Sequence, residues 1–385
     1  MDHAKKIYLD YNATTPVDPA VVDAMMPFFT DKFGNASSHS HIFGWEADEA
    51  VEQARERVAG LIGASPAEIT FTSGATEAVN LAIRGVSKAN RDRGNHIITC
   101  VSEHKAVLET CENLEQEGFS VSRLTVESTG ALDPGRLEEA ITDRTILISL
   151  MHANNEIGTI HPLGEIARIA RRNDIPLLSD ATQSVGKIPV DVKQLDVDMI
   201  AFSSHKLYGP KGAGALYIHN KRKPEITPLL TGGGQEKGLR PGTLNVPAIV
   251  GFGKACELCS RQMKRDSDRL RPLRDRLEQE LSENTDLKIN GDPDNRLPYM
   301  TSLSFRNIDG SNLLRRLKNL AVSQGSACTS ATHQPSHVLK AIGLSDQLAF
   351  STIRVGLGRF TTEEEIWKTI HDIREVIPRL KLLAQ

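Results

Sequence analysis

The stretch that decides the fold of this chain runs Met199-Ile200-Ala201-Phe202-Ser203-Ser204-His205-Lys206-Leu207-Tyr208-Gly209-Pro210. Its apolar start is too short for a helix and fits a buried strand of a parallel sheet. Such a strand would carry Lys206 to its carboxyl end. A lysine buried there loses its proton readily, and a neutral amine can bond covalently to a carbonyl compound. A solvated lysine in a turn is the other interpretation, since most lysines are exposed.

Short β-rich runs alternate with amphipathic helical segments on both sides of this stretch. That alternation predicts an α/β fold with a mainly parallel sheet, covered by helices on both faces. We expect seven strands, at 68–72, 96–101, 121–126, 145–151, 176–179, 199–203 and 213–218. Ligands of such sheets bind at the carboxyl ends of the strands.

Composition is that of an ordinary globular protein. The chain has 385 residues, of which 39% are hydrophobic and 25% charged, with a net charge of −3. This balance predicts no direct binding to nucleic acid or to a membrane surface. The N-terminus has no apolar signal segment, so we expect a cytoplasmic protein. The odd number of cysteines, 5, fits reduced thiols in that compartment.

The length suggests two domains. We predict a large domain over residues 14–260 and a smaller α+β domain built from residues 1–13 and 261–385. In the small domain we expect strands at 301–305 and 352–357, helices at 311–320 and 336–342, and a final helix opened by a capping box at 362–365. Prolines are expected to exclude an early helix at Pro16 and Pro19, and to kink or end the long helix at Pro272.

The first predicted strand is followed by Thr72-Ser73-Gly74-Ala75-Thr76-Glu77-Ala78-Val79-Asn80. A strand that passes through a glycine turn into a helix brings backbone N–H groups onto a phosphate. The segment lacks the Gly-Lys-Ser/Thr of a nucleotide-binding P-loop. A helix start with Thr76 as its cap is an equally good interpretation.

Polar side chains follow several of the other predicted strands: His104, Asn155, Asp180 and Gln183. Asp180 could pair with a protonated ring nitrogen, His104 could stack on a ring, and Asn155 or Gln183 could bond a ring hydroxyl. Each of them alone would usually be a cap or a satisfied core residue. Their common position with Lys206 at strand ends favours one site for an aromatic, charged ligand.

The cysteines differ in their surroundings. Cys111 falls on the apolar face of a helix, whereas Cys328 lies in a small polar segment, Gly325-Ser326-Ala327-Cys328-Thr329-Ser330, where packing does not explain it. We therefore take Cys328 as the reactive candidate. Cys256 and Cys259 have the spacing of zinc ligands, but no second pair completes four ligands, so buried helical thiols are preferred.

These motifs, in this order, resemble the cysteine desulfurases of the housekeeping iron–sulfur type, within the class-V aminotransferase branch of the fold-type I pyridoxal phosphate enzymes. The resemblance runs through almost the whole chain. It is carried by the segments at 8–11, 72–77, 103–105, 154–156, 180–184, 203–206, 325–330 and 358–365.

The resemblance implies roles for individual residues. Lys206 would hold pyridoxal 5'-phosphate covalently and later move the α proton of the substrate. The cofactor phosphate would be bound by Ala75, Thr76, Ser203 and His205, with Thr243 of a partner subunit, which makes the enzyme a homodimer. His104 would stack on the ring and exchange protons, Asp180 would keep the ring nitrogen protonated, and Gln183 would bond the ring oxygen. Asn155 and Arg354 would hold the substrate carboxylate.

The implied reaction converts L-cysteine to L-alanine and leaves a persulfide on Cys328, on a mobile loop at about 322–335. The sulfur would pass to acceptor proteins, either an iron–sulfur scaffold or thiolation carriers. Family members often have a longer tail that docks the scaffold, so the acceptor is left open. Selenocysteine lyase or cysteine-sulfinate desulfinase on the same fold is the alternative, a non-catalytic binding protein is a second, and Lys211 competes with Lys206 as the reactive lysine.

Overall fold

The computed structural model describes residues 6–308, 310–324 and 334–381. Its main feature is a seven-stranded sheet with the order β2-β8-β7-β6-β5-β3-β4. The strands are β2 (Ile69–Thr72), β3 (His96–Cys100), β4 (Ser120–Leu124), β5 (Thr145–Ser149), β6 (Leu177–Asp180), β7 (Met199–Ser203) and β8 (Gly214–Ile218). The predicted α/β class and the seven strands are confirmed, with ends that differ by one or two residues.

The sheet is parallel except at one strand. From β4 to β7 all neighbours pair in parallel, while β8 pairs antiparallel with both β7 and β2. The reason is visible in the chain between β7 and β8, which is a short turn through Gly209 and Pro210 with no crossover helix. A short connection joins antiparallel strands, whereas parallel strands need a long crossover.

Both faces of the sheet are covered by helices. Successive residues of β7 alternate between two apolar cores, with Ile200 and Phe202 in one and Met199 and Ala201 in the other. This double burial explains why β7 is apolar throughout. The covering helices are α3 (Ile42–Leu61), α4 (Ala75–Ala89), α5 (Lys105–Gln116), α6 (Pro134–Ala140), α7 (Leu163–Arg172) and α8 (Val192–Leu195).

A long helix, α9 (Val246–Asn284), links this part of the chain to a third apolar core. Its first half packs with the sheet core through residues such as Phe252 and Cys259, and its second half packs with the third core through Leu270 and Leu277. The helix continues through Pro272. The predicted break at Pro272 is therefore absent. Leu270 and Leu273, on either side of the proline, both pack in the third core and hold the helix together there. The domain boundary near residue 260 stays a prediction.

The third core lies under a three-stranded antiparallel sheet of order β12-β10-β9. Its elements are β9 (Leu287–Asn290), β10 (Met300–Phe305), α10 (Gly310–Arg316), β11 (Leu320–Ala321), α11 (His337–Ala341), α12 (Asp346–Phe350), β12 (Thr352–Gly356) and α13 (Glu363–Lys381). The strand β1 (Ile7–Tyr8) pairs in parallel with β11, so the N-terminus joins this unit. Strand β9 was not predicted.

The predicted capping box is confirmed at the start of α13. The Thr362 backbone N–H donates to Glu365, and the Glu365 backbone N–H donates to the Thr362 hydroxyl. The buried stripe of α13 consists of Ile366, Ile370, Ile373 and Ile377, as its apolar spacing indicates.

The expectation that prolines exclude an early helix was wrong. A helix α1 (Pro19–Met25) begins at Pro19 and is followed by α2 (Pro27–Thr30). Proline is favoured at a first helical position, where its missing N–H would have no partner. Helix α3 begins at Ile42, and His41 caps it by accepting from the Gly44 N–H. Among the described helices, none combines the length and apolar character that crossing a membrane requires.

Candidate active site

The strand β7 carries Lys206 to the carboxyl end of the sheet, as predicted. After Ser203 the chain makes one turn of 3-10 helix, Ser204–Lys206, which points the lysine into a cavity of about 580 Å³. Its Nζ donates to the carbonyl oxygens of Asn12 at 2.6 Å and Ala13 at 2.7 Å. The amine of Lys206 is thus held by the backbone of the N-terminal segment.

The predicted phosphate turn also borders this cavity. Strand β2 ends at Thr72, Gly74 has φ 156° and ψ 178°, and α4 begins at Ala75. That conformation is essentially restricted to glycine. Gly74 itself is the residue before the helix, so the expectation that Thr76 caps the helix was wrong. Thr76 lies in the first turn, where backbone N–H groups lack helical partners.

The position of this turn depends on close backbone approach. A Cβ on Gly214 of β8 would lie 2.5 Å from the Cα of Gly74. The adjoining strand therefore has to carry glycine for the turn to sit where it does. Ser203 and His205 come from the end of β7 to the same side of the cavity. The His205 Nδ1 lies 3.0 Å from the hydroxyl of Thr14, and burial lowers the pKa of His205 to about 4, so its ring is neutral near neutral pH.

His104 follows β3 and Asp180 ends β6, two strands that are separated by β5, and both residues line the cavity. His104 precedes α5 and its Nδ1 accepts from the Ala106 N–H at 3.1 Å. Burial lowers the pKa of His104, against the opposing effect of Asp180. The buried Asp180 carboxylate accepts from the Thr182 N–H at 2.9 Å. The ring of His104 is therefore neutral, with its proton on Nε2.

Gln183 is locked to Asn12 by two hydrogen bonds. Its Nε2 donates to the Asn12 carbonyl at 3.0 Å, and the Asn12 Nδ2 donates to its Oε1 at 3.1 Å. The same Asn12 carbonyl accepts from Lys206. One backbone oxygen therefore orders two of the predicted site residues relative to each other.

Arg354, in β12, reaches the cavity from the small unit. Its Nη2 donates to Asp10 at 2.7 Å and its Nη1 donates to the carbonyl of Asn155 at 2.9 Å. The Oδ1 of Asn155 is buried and has no hydrogen-bond partner among the described residues. Asn155 and Arg354 are thus adjacent, as the shared role implied by the resemblance requires.

Two predicted site residues are not among the described residues that line this cavity. Thr243 is exposed and is not among the described residues that line it. Cys328 and most of the segment 322–335 lie outside the described residues. Lys211 also borders the cavity but is exposed, whereas Lys206 is partly buried.

The described thiols behave as buried packing groups. Cys111 lies on the buried face of α5, and Cys256 and Cys259 lie in the buried half of α9. Burial raises the pKa of Cys111 to about 12 and that of Cys259 to about 11, so both stay protonated at neutral pH. The preference for helical thiols over a metal site agrees with this placement.

Sequence reasoning missed other residues that line or support the cavity: Asp10, Asn12, Glu103, Glu156 and His337. Glu103 is buried beside the site and accepts from the Met151 N–H at 2.6 Å, and burial raises its pKa well above the usual range. The signal for Asn12 and Asp10 was their polar position after a short N-terminal strand. Nothing local distinguished His337.

Comparison with known proteins defines the class. Residues 7–368 match the model of the aminotransferase class-V family. The chain is 50% identical over 380 residues to the cysteine desulfurase IscS of Anaeromyxobacter sp. strain Fw109-5, covering 98% of this chain and 93% of that protein. It is 51% identical over 380 residues to the cysteine desulfurase IscS of Escherichia coli O139:H28, covering 98% and 94%.

Solved structures agree. A NifS-like protein superposes with a TM-score of 0.91 at 39% identity, covering 97% of this chain and 100% of that one. SspA in complex with cysteine gives a TM-score of 0.82 at 40% identity, covering 92% and 100%. The chain therefore belongs to the class-V aminotransferase family and, within it, to the cysteine desulfurases, which are enzymes. Membership of this family implies dependence on pyridoxal phosphate.

Proposed function

We propose that this enzyme uses pyridoxal 5'-phosphate to convert L-cysteine to L-alanine, and that it passes the sulfur through a persulfide on Cys328 to acceptor proteins. The observation that carries the proposal is the cavity that collects Lys206, His104, Asp180 and Arg354 from separate strands. A solved relative at 40% identity, SspA, is described in complex with cysteine. Acceptors would be proteins of iron–sulfur cluster assembly or of thiolation, and the expected compartment is the cytoplasm.

The residues present fit this cofactor. A phosphate dianion fits the start of α4, where the N–H groups of Ala75 and Thr76 and the hydroxyl of Ser203 face the cavity end and His205 adds a neutral ring. A protonated ring nitrogen fits the buried carboxylate of Asp180. Among the described residues, this carboxylate accepts one hydrogen bond, from the Thr182 N–H, so it can accept another from the ring nitrogen. Gln183, already oriented by Asn12, would bond the ring oxygen, and His104 would stack on the ring.

When bound, pyridoxal phosphate withdraws electrons from the substrate α carbon. The work of the chain is to place groups around that carbon. Lys206 Nζ, held by the carbonyl oxygens of Asn12 and Ala13, would bind the cofactor and then take the α proton. His104 holds its proton on Nε2, since Nδ1 accepts from Ala106.

Asn155 and Arg354 would bind the substrate carboxylate. Arg354 uses one Nη to bond Asp10 and the other to bond a carbonyl, and its Nε lacks a partner among the described residues. Asn155 would bind the carboxylate through its Nδ2 donor, because its Oδ1 can only accept. A buried donor without a hydrogen-bond partner destabilises the protein until a partner binds. The substrate carboxylate supplies such an acceptor for Arg354.

The sulfur step balances as a transfer between two thiols. The bond between sulfur and the β carbon of cysteine breaks, a sulfur–sulfur bond forms with Cys328, and the hydrogen lost from the Cys328 thiol ends on the methyl group of alanine. No outside oxidant or reductant is consumed. The attacking form is the thiolate, so a base has to take the Cys328 proton.

The deciding experiment compares wild type with Cys328→Ala on three substrates: L-cysteine, selenocysteine and cysteine sulfinate. We expect wild type to form alanine from L-cysteine with one persulfide per active site, and Cys328→Ala to lose this reaction while keeping the absorbance of the bound cofactor. Cleavage of selenocysteine or cysteine sulfinate depends less on the Cys328 thiol. Activity of Cys328→Ala on these two substrates therefore tests the alternative function, selenocysteine lyase or cysteine-sulfinate desulfinase. Full cysteine desulfuration by Cys328→Ala would refute the proposal.

We also propose that the enzyme is a homodimer in which Thr243 reaches the partner's cofactor phosphate. Support comes from an exposed apolar surface at Phe29, Phe33, Ile42 and Trp45, which are 57%, 65%, 55% and 53% exposed. Large exposed apolar patches mark interfaces. Thr243 is itself exposed and away from the cavity of its own chain.

Subunit mixing tests this arrangement. Lys206→Ala and Thr243→Ala subunits would each form impaired enzymes, but a mixed dimer would contain one site with Lys206 from one chain and Thr243 from the other. Activity that rises on mixing supports the homodimer. Unchanged activity after verified exchange of subunits would contradict it.

A further inference from the structure

The first turn of α4 carries an acidic residue, Glu77, which borders the cavity beside Ala75 and Thr76. Its carboxylate accepts from the backbone N–H of Ser73 at 2.7 Å. Ser73 lies in the turn between β2 and α4, so this hydrogen bond ties the turn to the helix that follows it. Glu77 therefore orders the backbone that would receive the cofactor phosphate, but it also brings a negative charge there.

The Glu77 carboxyl is ionised at neutral pH. Burial opposes its ionisation, but hydrogen bonds from Arg240 and Ser73 outweigh the effect of burial and lower its pKa. A carboxylate and a phosphate dianion at the same helix start repel each other, because both are negative. Without a compensating positive charge, Glu77 would weaken the binding of a phosphate at this place.

Arg240 supplies the compensating charge. Its Nε donates to Glu77 Oε1 at 2.8 Å, and its Nη2 lies 3.5 Å from Glu77 Oε2. Both side chains are partly buried. Arg240 is not among the described residues that line the cavity, whereas Glu77 is. The guanidinium would therefore act on a bound phosphate through Glu77 and not by direct contact.

The segment that carries Arg240 is anchored to the sheet unit. Leu239 packs against the apolar core that contains the buried face of α4. The buried Glu236 has φ 48° and ψ 42°, a left-handed conformation that is uncommon outside glycine. Both of its carboxylate oxygens accept from Arg55, at 2.7 Å and 2.9 Å, which holds this backbone in place. Arg240 thus reaches Glu77 from a fixed segment.

We propose that Glu77 and Arg240 act together as positioning residues for the cofactor phosphate. Glu77 orders the turn at Ser73, and Arg240 neutralises the charge that Glu77 brings. The inference rests on the proposed function, in which the start of α4 holds the phosphate of pyridoxal 5'-phosphate. Neither side chain takes part in proton transfer. The pair therefore governs retention of the cofactor and leaves the chemical step unchanged.

The test is a double-substitution cycle on cofactor affinity, measured by equilibrium dialysis of the full-length holoenzyme against free pyridoxal phosphate. Arg240→Gln leaves the Glu77 charge uncompensated and should weaken the affinity by about 10-fold. Glu77→Gln removes that charge, and its amide oxygen can still accept from Ser73. The double variant should therefore bind the cofactor within about threefold of wild type, because the two substitutions are coupled.

Further measurements separate a charge effect from a loss of structure. Arg240→Lys keeps the positive charge and should recover most of the affinity that Arg240→Gln loses. The defect of Arg240→Gln should shrink at high salt, because salt screens partly exposed charges. Pyridoxal, which lacks the phosphate, should bind wild type and Arg240→Gln equally. At saturating cofactor, kcat and KM for L-cysteine should equal those of wild type.

Arg84→Gln is the matched control. Arg84 lies farther along α4 and pairs with Glu117, and neither is among the described residues that line the cavity. This variant should bind pyridoxal phosphate like wild type. Affinity losses that add up in the double variant would overturn the proposal, since they would mean that the pair only supports the fold. An Arg240→Gln affinity within about twofold of wild type would overturn it as well.

The wild-type dialysis distinguishes this inference from the proposed function. If wild type binds no pyridoxal phosphate, the proposed function fails and the inference fails with it. If wild type binds the cofactor and the cycle shows no coupling between Glu77 and Arg240, only the inference fails.

Discussion

Arg354, which is buried, and Asp10, which is partly buried, form an ion pair between opposite ends of the sequence, with Arg354 Nη2 donating to Asp10 Oδ1 at 2.7 Å. Asp10 also accepts from the hydroxyl of Ser323 at 3.0 Å. The Asp10 carboxylate holds Nη2 and the Asn155 carbonyl holds Nη1, while Nε has no partner among the described residues and is left for a ligand. Arg354 is therefore oriented before a substrate carboxylate binds. Less side-chain entropy is then lost on binding.

Replacing this arginine tests its proposed role toward the substrate carboxylate. Arg354→Lys should raise the KM for L-cysteine by about 10- to 100-fold, because a lysine cannot reproduce the paired donors and a charged hydrogen bond contributes about 1.5–3 kcal/mol. Steady-state kinetics give the result. Arg296→Lys breaks a comparable buried pair with Glu278 away from the cavity and should leave KM unchanged. An unaltered KM in Arg354→Lys would exclude the role.

Lys206 and Lys211 can be separated by substitution and trapping. Lys206→Ala should abolish covalent retention of pyridoxal phosphate and lower the rate by about 10³-fold, in the range of a positioned acid–base group. Lys211→Ala should keep most activity, because Lys211 is exposed at the cavity border. Borohydride reduction followed by peptide mapping identifies the modified lysine. Label on Lys211 in wild type would reverse the assignment.

The close approach of Gly214 to Gly74 predicts a steric effect on cofactor binding. An added Cβ at Gly214 would meet the Gly74 Cα at 2.5 Å and the Phe202 carbonyl oxygen at 2.8 Å. Gly214→Ala should therefore lower the free energy of unfolding by about 1–3 kcal/mol, and displacement of the phosphate turn should weaken the affinity for pyridoxal phosphate. Calorimetry and a cofactor titration measure the two effects.

Gly60 offers the matched control for that experiment. It lies in α3, and a Cβ there would meet nothing within 4 Å. Gly60→Ala should raise the free energy of unfolding by about 0.5–1 kcal/mol, since alanine loses less backbone freedom in a helix. If Gly214→Ala and Gly60→Ala had the same free energy of unfolding and the same affinity for pyridoxal phosphate, the contact at Gly214 would not constrain the turn.

A buried histidine should make stability depend on pH. Both ring nitrogens of His161 lack hydrogen-bond partners among the described residues, and burial lowers its pKa from 6.5 to about 4. Between these values the unfolded chain binds a proton that the folded chain does not. Stability is therefore intact above pH 6.5 and falls as the pH drops toward 4, by up to ~3 kcal/mol from this residue.

His161→Phe should make the decline of Tm between pH 6.5 and pH 4 less steep, because the variant has no proton to bind in the unfolded state. Differential scanning fluorimetry across this range measures the slope. His39→Gln, at an exposed loop position, should follow wild type. A slope in His161→Phe as steep as that of wild type would show that other groups dominate the acid sensitivity.

Local sequence signals predicted the sheet and much of the cavity. The apolar run at Met199–Ser203 and the glycine turn at Gly74 act over short distances, through burial and backbone conformation, so they are readable without the fold. Because strands of one direction end at one edge, His104 and Asp180 could be placed beside Lys206. The early helix at Pro19 was missed because proline breaks helices only in their interior.

Contacts between distant segments could not be read in this way. The pairing of Asp10 with Arg354, the bond of Asn12 to Gln183 and the bond of His337 to Glu103 join residues from separate elements. Each depends on how the N-terminal segment and the small unit pack against the sheet. Side-chain type and spacing carry no record of that packing.

The sequence by itself determined that a lysine stands at the end of a buried strand among groups suited to an aromatic, charged ligand, because strand period and burial are local properties. Only the tertiary structure decided what surrounds that lysine: the carbonyl oxygens of Asn12 and Ala13 on its amine, the oriented Arg354, and His337 held at the Glu103 carbonyl. Hydrogen bonds act over about 3 Å, and only folding brings these atoms within that distance.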